Sequence, residues 1–129
     1  MKTFLIVLCV TSLSIFSQIQ SGLNQNICQK YKQSDSTLNS FYKKILKEYS
    51  TDTLFISKLK IAQNKWILSR DADLAALYPD TAHEAYGSAN LMCRCVFLTS
   101  KTDERIKYLK QWIEKTEEGD MCSGSVKIK

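Results

Sequence analysis

Apolar residues recur at helical spacing in three separate segments of the chain. The segments extend from about residue 26 to 49, from about 54 to 78, and from about 89 or 90 to 115. In each segment, apolar side chains three and four positions apart form one stripe, which is typical of an amphipathic helix. No alternating stretch is long enough to predict a strand. The sequence therefore predicts an all-α fold, a small antiparallel three-helix bundle that consists of a helical hairpin and a long third helix.

Residues that favour turns separate the three predicted helices. The sequence Ser-Thr-Asp-Thr at 50–53 favours a turn followed by a helix start. Pro79 ends the second helix, because proline cannot continue it and restricts the residue before it. Residues 80–88 then form the one long irregular connection, in which Gly87 and Ser88 offer a turn and an N-cap.

The start of the chain has the features of a secretory signal. A short basic head precedes a nearly unbroken apolar run at 3–16, and the small residue Ser17 follows it. The run is shorter than the roughly 20 apolar residues that a membrane span needs, which favours a signal at 1–17 over an anchor. Cys9 would be removed with this signal. Residues 18–129 are expected to form a single domain. Within it, the polar segments 21–26 and 117–129 are expected to be flexible ends.

Four cysteines remain after removal of the predicted signal, and an even number in an exported protein favours disulfides. Cys28 and Cys95 lie on the inner stripes of the first and third helices, so they are the favoured pair. Cys93, two residues from Cys95, points to nearly the opposite side of its helix. It can reach Cys122 only if the third helix breaks near residues 99–100. Otherwise Cys122 is free or forms an intermolecular bond, and the sequence leaves both alternatives open.

Charge and motif content favour a protein without chemistry of its own. Removal of the signal takes the formal charge from +5 to +4, and the lysines are spread over every segment. Nucleic-acid binding is not indicated, because no basic stripe with interleaved aromatic residues occurs. No paired carboxylates share a helix face in the way that glycoside chemistry needs. We therefore predict no catalytic residue, no metal site and no cofactor.

Polar residues interrupt the inner stripes at similar heights in the three helices. A hairpin with a short turn places Asp35 beside Arg70, with amide side chains nearby. Alignment of the parallel third helix through the favoured cysteine pair adds a threonine and a second arginine. Because these residues lie in mid-helix on the packing seam, a structural layer is favoured over an active site. The predicted polar layer consists of Asp35, Asn39, Gln63, Arg70, Thr102 and Arg105.

Three short motifs run through the predicted helices. They are C-x6-D-x2-L-N-x2-Y from Cys28, L-x2-A-Q-x2-W-x3-R-D from Leu59, and T-x2-R-x3-L from Thr102. Together they resemble the lysozyme inhibitor LprI-like family, and the resemblance covers nearly the whole predicted mature chain. Leu74 stands where the family usually has a cysteine, so the disulfide pattern is not carried over. The core motif residues are Leu38, Tyr42, Trp66 and Leu109.

The resemblance implies an exported, non-enzymatic helical protein of the bacterial envelope, either secreted or periplasmic. It also implies a protein partner, with a lysozyme as the first candidate and no membrane span after signal removal. The alternative is a structural or interaction module of the envelope that does not inhibit lysozyme. The outer helix faces and the irregular connection are open to a partner. The candidate contact residues in that connection are Asp80, His83, Glu84 and Tyr86.

Overall fold

The structure is a computed structural model that describes residues 2–82 and 85–129, with side chains from residue 15 onward. Within these residues the chain forms three helices and no strand, apart from one isolated backbone bridge near the C-terminus. The predicted all-α fold is therefore confirmed. His83, Glu84 and the side chain of Cys9 lie outside the described residues. The helices are α1 (Lys2–Glu48), α2 (Thr53–Leu77) and α3 (Asn90–Glu114).

The helix boundaries follow local capping chemistry. The Asp52 carboxylate accepts a hydrogen bond of 2.9 Å from the backbone N–H of Phe55 and so caps the start of α2. At its other end, α2 stops one residue before Tyr78, and Pro79 prevents any continuation. Helix α3 begins without a side-chain cap, so Ser88 does not serve as its N-cap.

Helices α1 and α3 form the main pair, and they run parallel. At one end, a disulfide joins Cys28 to Cys95, with Cα atoms 5.1 Å apart. At the other end, the Tyr49 hydroxyl donates a hydrogen bond of 3.1 Å to the backbone carbonyl of Trp112. Residue numbers rise in the same direction between these two ties. The predicted parallel alignment and the favoured cysteine pair are therefore confirmed.

Helix α2 runs antiparallel to this pair and approaches α3 more closely than α1. Near the start of α2, the Phe55 ring lies 5.5 Å from the Trp112 ring at the end of α3. Near its end, the Arg94 guanidinium in the first turns of α3 lies 5.4 Å from the Tyr78 ring. The three helices therefore alternate up, down and up, and the core forms between their inner stripes. The buried core residues are Leu38, Ile45, Tyr49, Leu59, Ile106, Leu109, Trp112 and Val126.

Both ends for which the polar composition predicts flexibility are folded in the structure. Helix α1 continues through residues 21–26, where one glycine is not enough to break it and the Gln20 amide donates to Asn24. Residues 116–129 fold back onto the helices, and Val126 is only 9% exposed. The polar composition hides this docking, because it depends on one buried valine and on backbone hydrogen bonds.

None of the helices in the described part of the chain has an apolar stretch long enough to cross a bilayer.

Candidate functional site

The Trp66 indole is the centre of a polar cluster between α2 and α3. The Cζ atom of Arg70, one turn further along α2, lies 5.1 Å from the centroid of this ring. The Cζ atom of Arg105, from α3, lies 5.6 Å from it. Cation–π contacts of this kind contribute about 0.5–2 kcal/mol each, depending on how dry the site is. We call Gln63, Trp66, Arg70 and Arg105 the tryptophan–arginine cluster.

An amide and aromatic rings hold the guanidinium of Arg105. Its Nε–H donates a hydrogen bond of 3.0 Å to the side-chain oxygen of Gln63, which is buried. Its Cζ atom also lies 4.9 Å from the Tyr108 ring. Burial lowers the pKa of Arg105, although the arginine stays charged because its ordinary pKa is so high. The Nη2 atom is buried and has no hydrogen-bond partner among the described residues.

The residues of the predicted polar layer do not form one connected network. The Asp35 carboxylate accepts a hydrogen bond of 3.2 Å from Asn39 on its own helix. Arg70 forms an ion pair of 2.8 Å with its neighbour Asp71. Among the described side chains, no ion pair joins Asp35 to Arg70 or Arg105, so the predicted interaction is absent. The physical reason is that α2 packs closest to α3, whereas the prediction placed it alongside α1.

Further residues of the predicted layer and motifs are buried or partly buried where the helices meet. Thr102 is completely buried, and its hydroxyl has no hydrogen-bond partner in the part of the chain that the structure describes. Leu38 and Leu109 belong to the core, and Tyr42 packs against it. Burial raises the pKa of Tyr42, and the charge of Arg105 opposes this shift. Arg105 is thus close enough to α1 to connect all three helices.

The remaining cysteines of the described chain are free thiols. Cys93 is partly buried in α3, and Cys122 is exposed in the C-terminal segment. Helix α3 is continuous across residues 99–100. The break that a second disulfide would need is therefore absent.

Tyr86 organises the connection between α2 and α3. Its hydroxyl accepts a hydrogen bond of 3.0 Å from the Asp80 backbone N–H, and its ring lies edge-on to Tyr78. The Asp80 carboxylate accepts a hydrogen bond of 2.9 Å from the Ala82 backbone N–H. Both Asp80 and Tyr86 therefore stabilise the turn and stay exposed, while His83 and Glu84 lie outside the described residues.

The outer side of α2 is a feature that the sequence reasoning did not single out. Leu54, Ile61 and Leu68 are 69%, 48% and 70% exposed. Their regular seven-residue spacing, on the side opposite the buried Leu59 and Gln63, is the signal that would have found them.

The site contains no arrangement typical of metal binding. In the described ranges, no group of three or more histidine, cysteine, aspartate or glutamate residues is placed to hold an ion. Both guanidinium groups of the tryptophan–arginine cluster lie near the Trp66 ring, and that of Arg105 also donates to the buried Gln63 amide. Of these contacts, those of Arg105 with Gln63 and Trp66 join α3 to α2.

Comparison with curated proteins and with solved structures gives no significant match. A family model described as Lysozyme inhibitor LprI matches residues 16–109. The matched segment contains the disulfide, the tryptophan–arginine cluster and the connection between α2 and α3. Since it covers well over half of the sequence, the chain belongs to the lysozyme inhibitor LprI family.

Proposed function

We propose that this chain is an exported protein that binds a lysozyme and inhibits it by covering its substrate cleft, without chemistry of its own. The family match over residues 16–109 carries this proposal, because it spans most of the helical body. The contacts of Arg70 and Arg105 with Trp66, and of Arg105 with Gln63, occupy these charged groups within the bundle, which supports a scaffold that presents other surfaces to a partner.

The cysteine chemistry supports an extracytoplasmic location. The Cys28–Cys95 disulfide is of the kind that persists in the periplasm or outside the cell. Cleavage of the predicted signal after Ser17 would leave α1 intact from residue 18 and would keep both cysteines of this bond. We therefore place the mature protein in the bacterial envelope or the medium.

Binding has to depend on short-range contacts. The predicted mature chain carries a formal charge of about +4, so no long-range attraction draws it toward a basic lysozyme. A standard interface buries about 800 Å² on each partner, a small share of the 9561 Å² that the chain exposes. The outer helix faces and the connection with Asp80 and Tyr86 supply surface of this size.

The direct test is a cell-wall digestion assay. Purified residues 18–129 are added to a lysozyme that is clearing a suspension of cell walls, and the rate is followed by turbidity. We expect dose-dependent slowing at micromolar protein. An unrelated small protein of the same net charge is the control for non-specific binding to the walls. No slowing at micromolar protein would refute the proposal for that lysozyme and would favour an envelope interaction module.

A further inference from the structure

Helix α2 carries apolar residues on two opposite faces. Leu59 and Gln63 are buried against the rest of the bundle. Leu54, Ile61 and Leu68 lie on the opposite side and are largely exposed. Seven residues are close to two helical turns, so these three side chains form one line along the helix. The line from Leu54 to Leu68 is roughly 20 Å long.

Two lysines lie beside this line. Lys58 and Lys65 are exposed, and each follows an apolar member of the line by four residues, which places it on the same side of the helix. The nearest acidic residue of α2, Asp71, is already paired with Arg70 at 2.8 Å. The surface is therefore apolar and locally cationic. We call Leu54, Lys58, Ile61, Lys65 and Leu68 the outer face of α2.

The packing of the chain itself does not account for this face. Within residues 2–82 and 85–129, its three apolar side chains remain exposed and lie outside the core cluster. A helix that is apolar on both sides ordinarily has neighbours on both sides. An exposed helix face with apolar side chains at seven-residue spacing is the arrangement with which a helix enters a partner's groove.

We infer that the outer face of α2 is the surface that enters the substrate cleft of a lysozyme, where its lysines face the carboxylates of the enzyme. This inference rests on the proposed function. The cleft of such a glycosidase contains a pair of carboxyl groups, one in an apolar pocket and one that stays ionised. A convex helix that alternates leucine or isoleucine with lysine is complementary to that cleft in polarity and charge.

Local complementarity also reconciles inhibition with the positive charge of the chain. Charge pairs that become desolvated in an interface act mainly on the dissociation rate, while net charge acts on the encounter rate. Lys58 and Lys65 can therefore slow dissociation of the complex, although the net charge of the chain does not speed its association with the enzyme.

A second surface provides a matched comparison. The open groove of about 930 Å³ between α1 and α3 has an apolar floor that includes Phe41 and Ile106. Its rim carries Lys107 and Lys110, but also acidic residues of α3. The groove is concave and mixed in charge, so it is not suited to enter a cleft. Its two exposed lysines are suitable controls for those of α2.

The test compares two charge reversals in the predicted mature chain, residues 18–129. K58E/K65E and K107E/K110E change the net charge equally, and all four lysines are exposed, so both variants should keep the helical circular dichroism of the wild type. In the cell-wall assay we expect K58E/K65E to raise the half-inhibitory concentration about 100-fold. We expect K107E/K110E to change it less than threefold. The uncharged variant L68S should raise it about tenfold.

Each outcome decides between the inference and the proposed function. Suppose that the wild type inhibits, but that K58E/K65E changes the half-inhibitory concentration less than threefold or that both charge reversals raise it equally. Either result overturns the inference and leaves the proposed function standing. No inhibition by the wild type overturns both. A chito-oligosaccharide that fills the cleft should displace the wild-type chain, and a ternary complex would overturn the inference. A wild-type dimer in sedimentation that L68S dissociates would show that a second copy covers the face, which also overturns it.

Discussion

Replacement of Tyr49 by phenylalanine removes one hydroxyl that joins α1, α3 and the C-terminal segment. Tyr49 is 1% exposed, and its hydroxyl donates to the Trp112 carbonyl at 3.1 Å. The same oxygen accepts a hydrogen bond of 3.0 Å from the backbone N–H of Lys127. The Lys127 ammonium group lies 4.4 Å from the centroid of the Tyr49 ring and donates to the Glu48 carbonyl, so the segment also covers the end of α1.

The expected loss of stability follows from the two backbone groups that Tyr49→Phe leaves without a partner. The ring and its packing remain, so the cavity contribution is small. A buried polar group without a partner costs about 1–3 kcal/mol, and the Lys127 N–H is partly buried and falls at the lower end. We expect the free energy of unfolding to fall by about 2–3 kcal/mol. For a domain of this size, that lowers Tm by roughly 10 °C or more.

Urea unfolding followed by circular dichroism measures this change. Tyr108→Phe is the matched control, because its ring is 52% exposed and its hydroxyl makes no hydrogen bond among the described residues. The control should lie within about 0.5 kcal/mol of the wild type. Hydrogen exchange at the Lys127 amide should accelerate in the Tyr49 variant. Equal stability of the two variants, with unchanged exchange at Lys127, would refute the docking of the C-terminal segment.

Three further outcomes test other parts of the structure. Replacement of both Cys28 and Cys95 by serine opens a loop with a sequence separation of 67, and should lower the free energy of unfolding by about 4 kcal/mol in urea titrations. Gln63→Ala leaves the guanidinium that it binds without an acceptor, and should cost about 1.5–3 kcal/mol, whereas alanine at an exposed glutamine should cost little. The Cys122 N–H and then a threonine hydroxyl hold the pKa of Asp120 below its ordinary value. Its contribution to stability is therefore present above the unfolded pKa near 4 and is lost as the pH falls through the lower folded value. The chemical shift of the Cys122 amide should follow this titration, and D120N should abolish it.

Periodicity predicted the helices, because it depends on residues that are close in sequence. Cysteine position predicted the alignment of α1 with α3, because one covalent bond joins the two helices. The neighbour of α2 was not predictable in the same way. The short turn allows α2 to lean toward either helix, and the sequence contains no covalent tie that decides between them. As a result, Arg70 pairs with the adjacent Asp71, and Asp35 pairs with Asn39 on its own helix.

The same reasoning explains why only part of the candidate site was found. Gln63, Trp66 and Arg105 were recognised because polar groups on an inner stripe need partners, and the structure gives them partners. The sequence reasoning named the outer helix faces only in general, and it did not single out the apolar line on α2, because it followed the inner stripe of each helix. The exposure of this line became visible only when the bundle was seen to leave it uncovered.

The two faces of α2 link the stability of the chain to its proposed binding. The α1–α3 pair is tied at one end by the disulfide and at the other by Tyr49. Helix α2 buries only Leu59 and Gln63, and it packs much less closely against α3 than α1 does, so it is the least supported of the three helices. A lysozyme on its outer face would supply the missing neighbour. We therefore expect complex formation to slow amide hydrogen exchange in α2 more than in α1 or α3, and equal protection of all three helices would contradict this coupling.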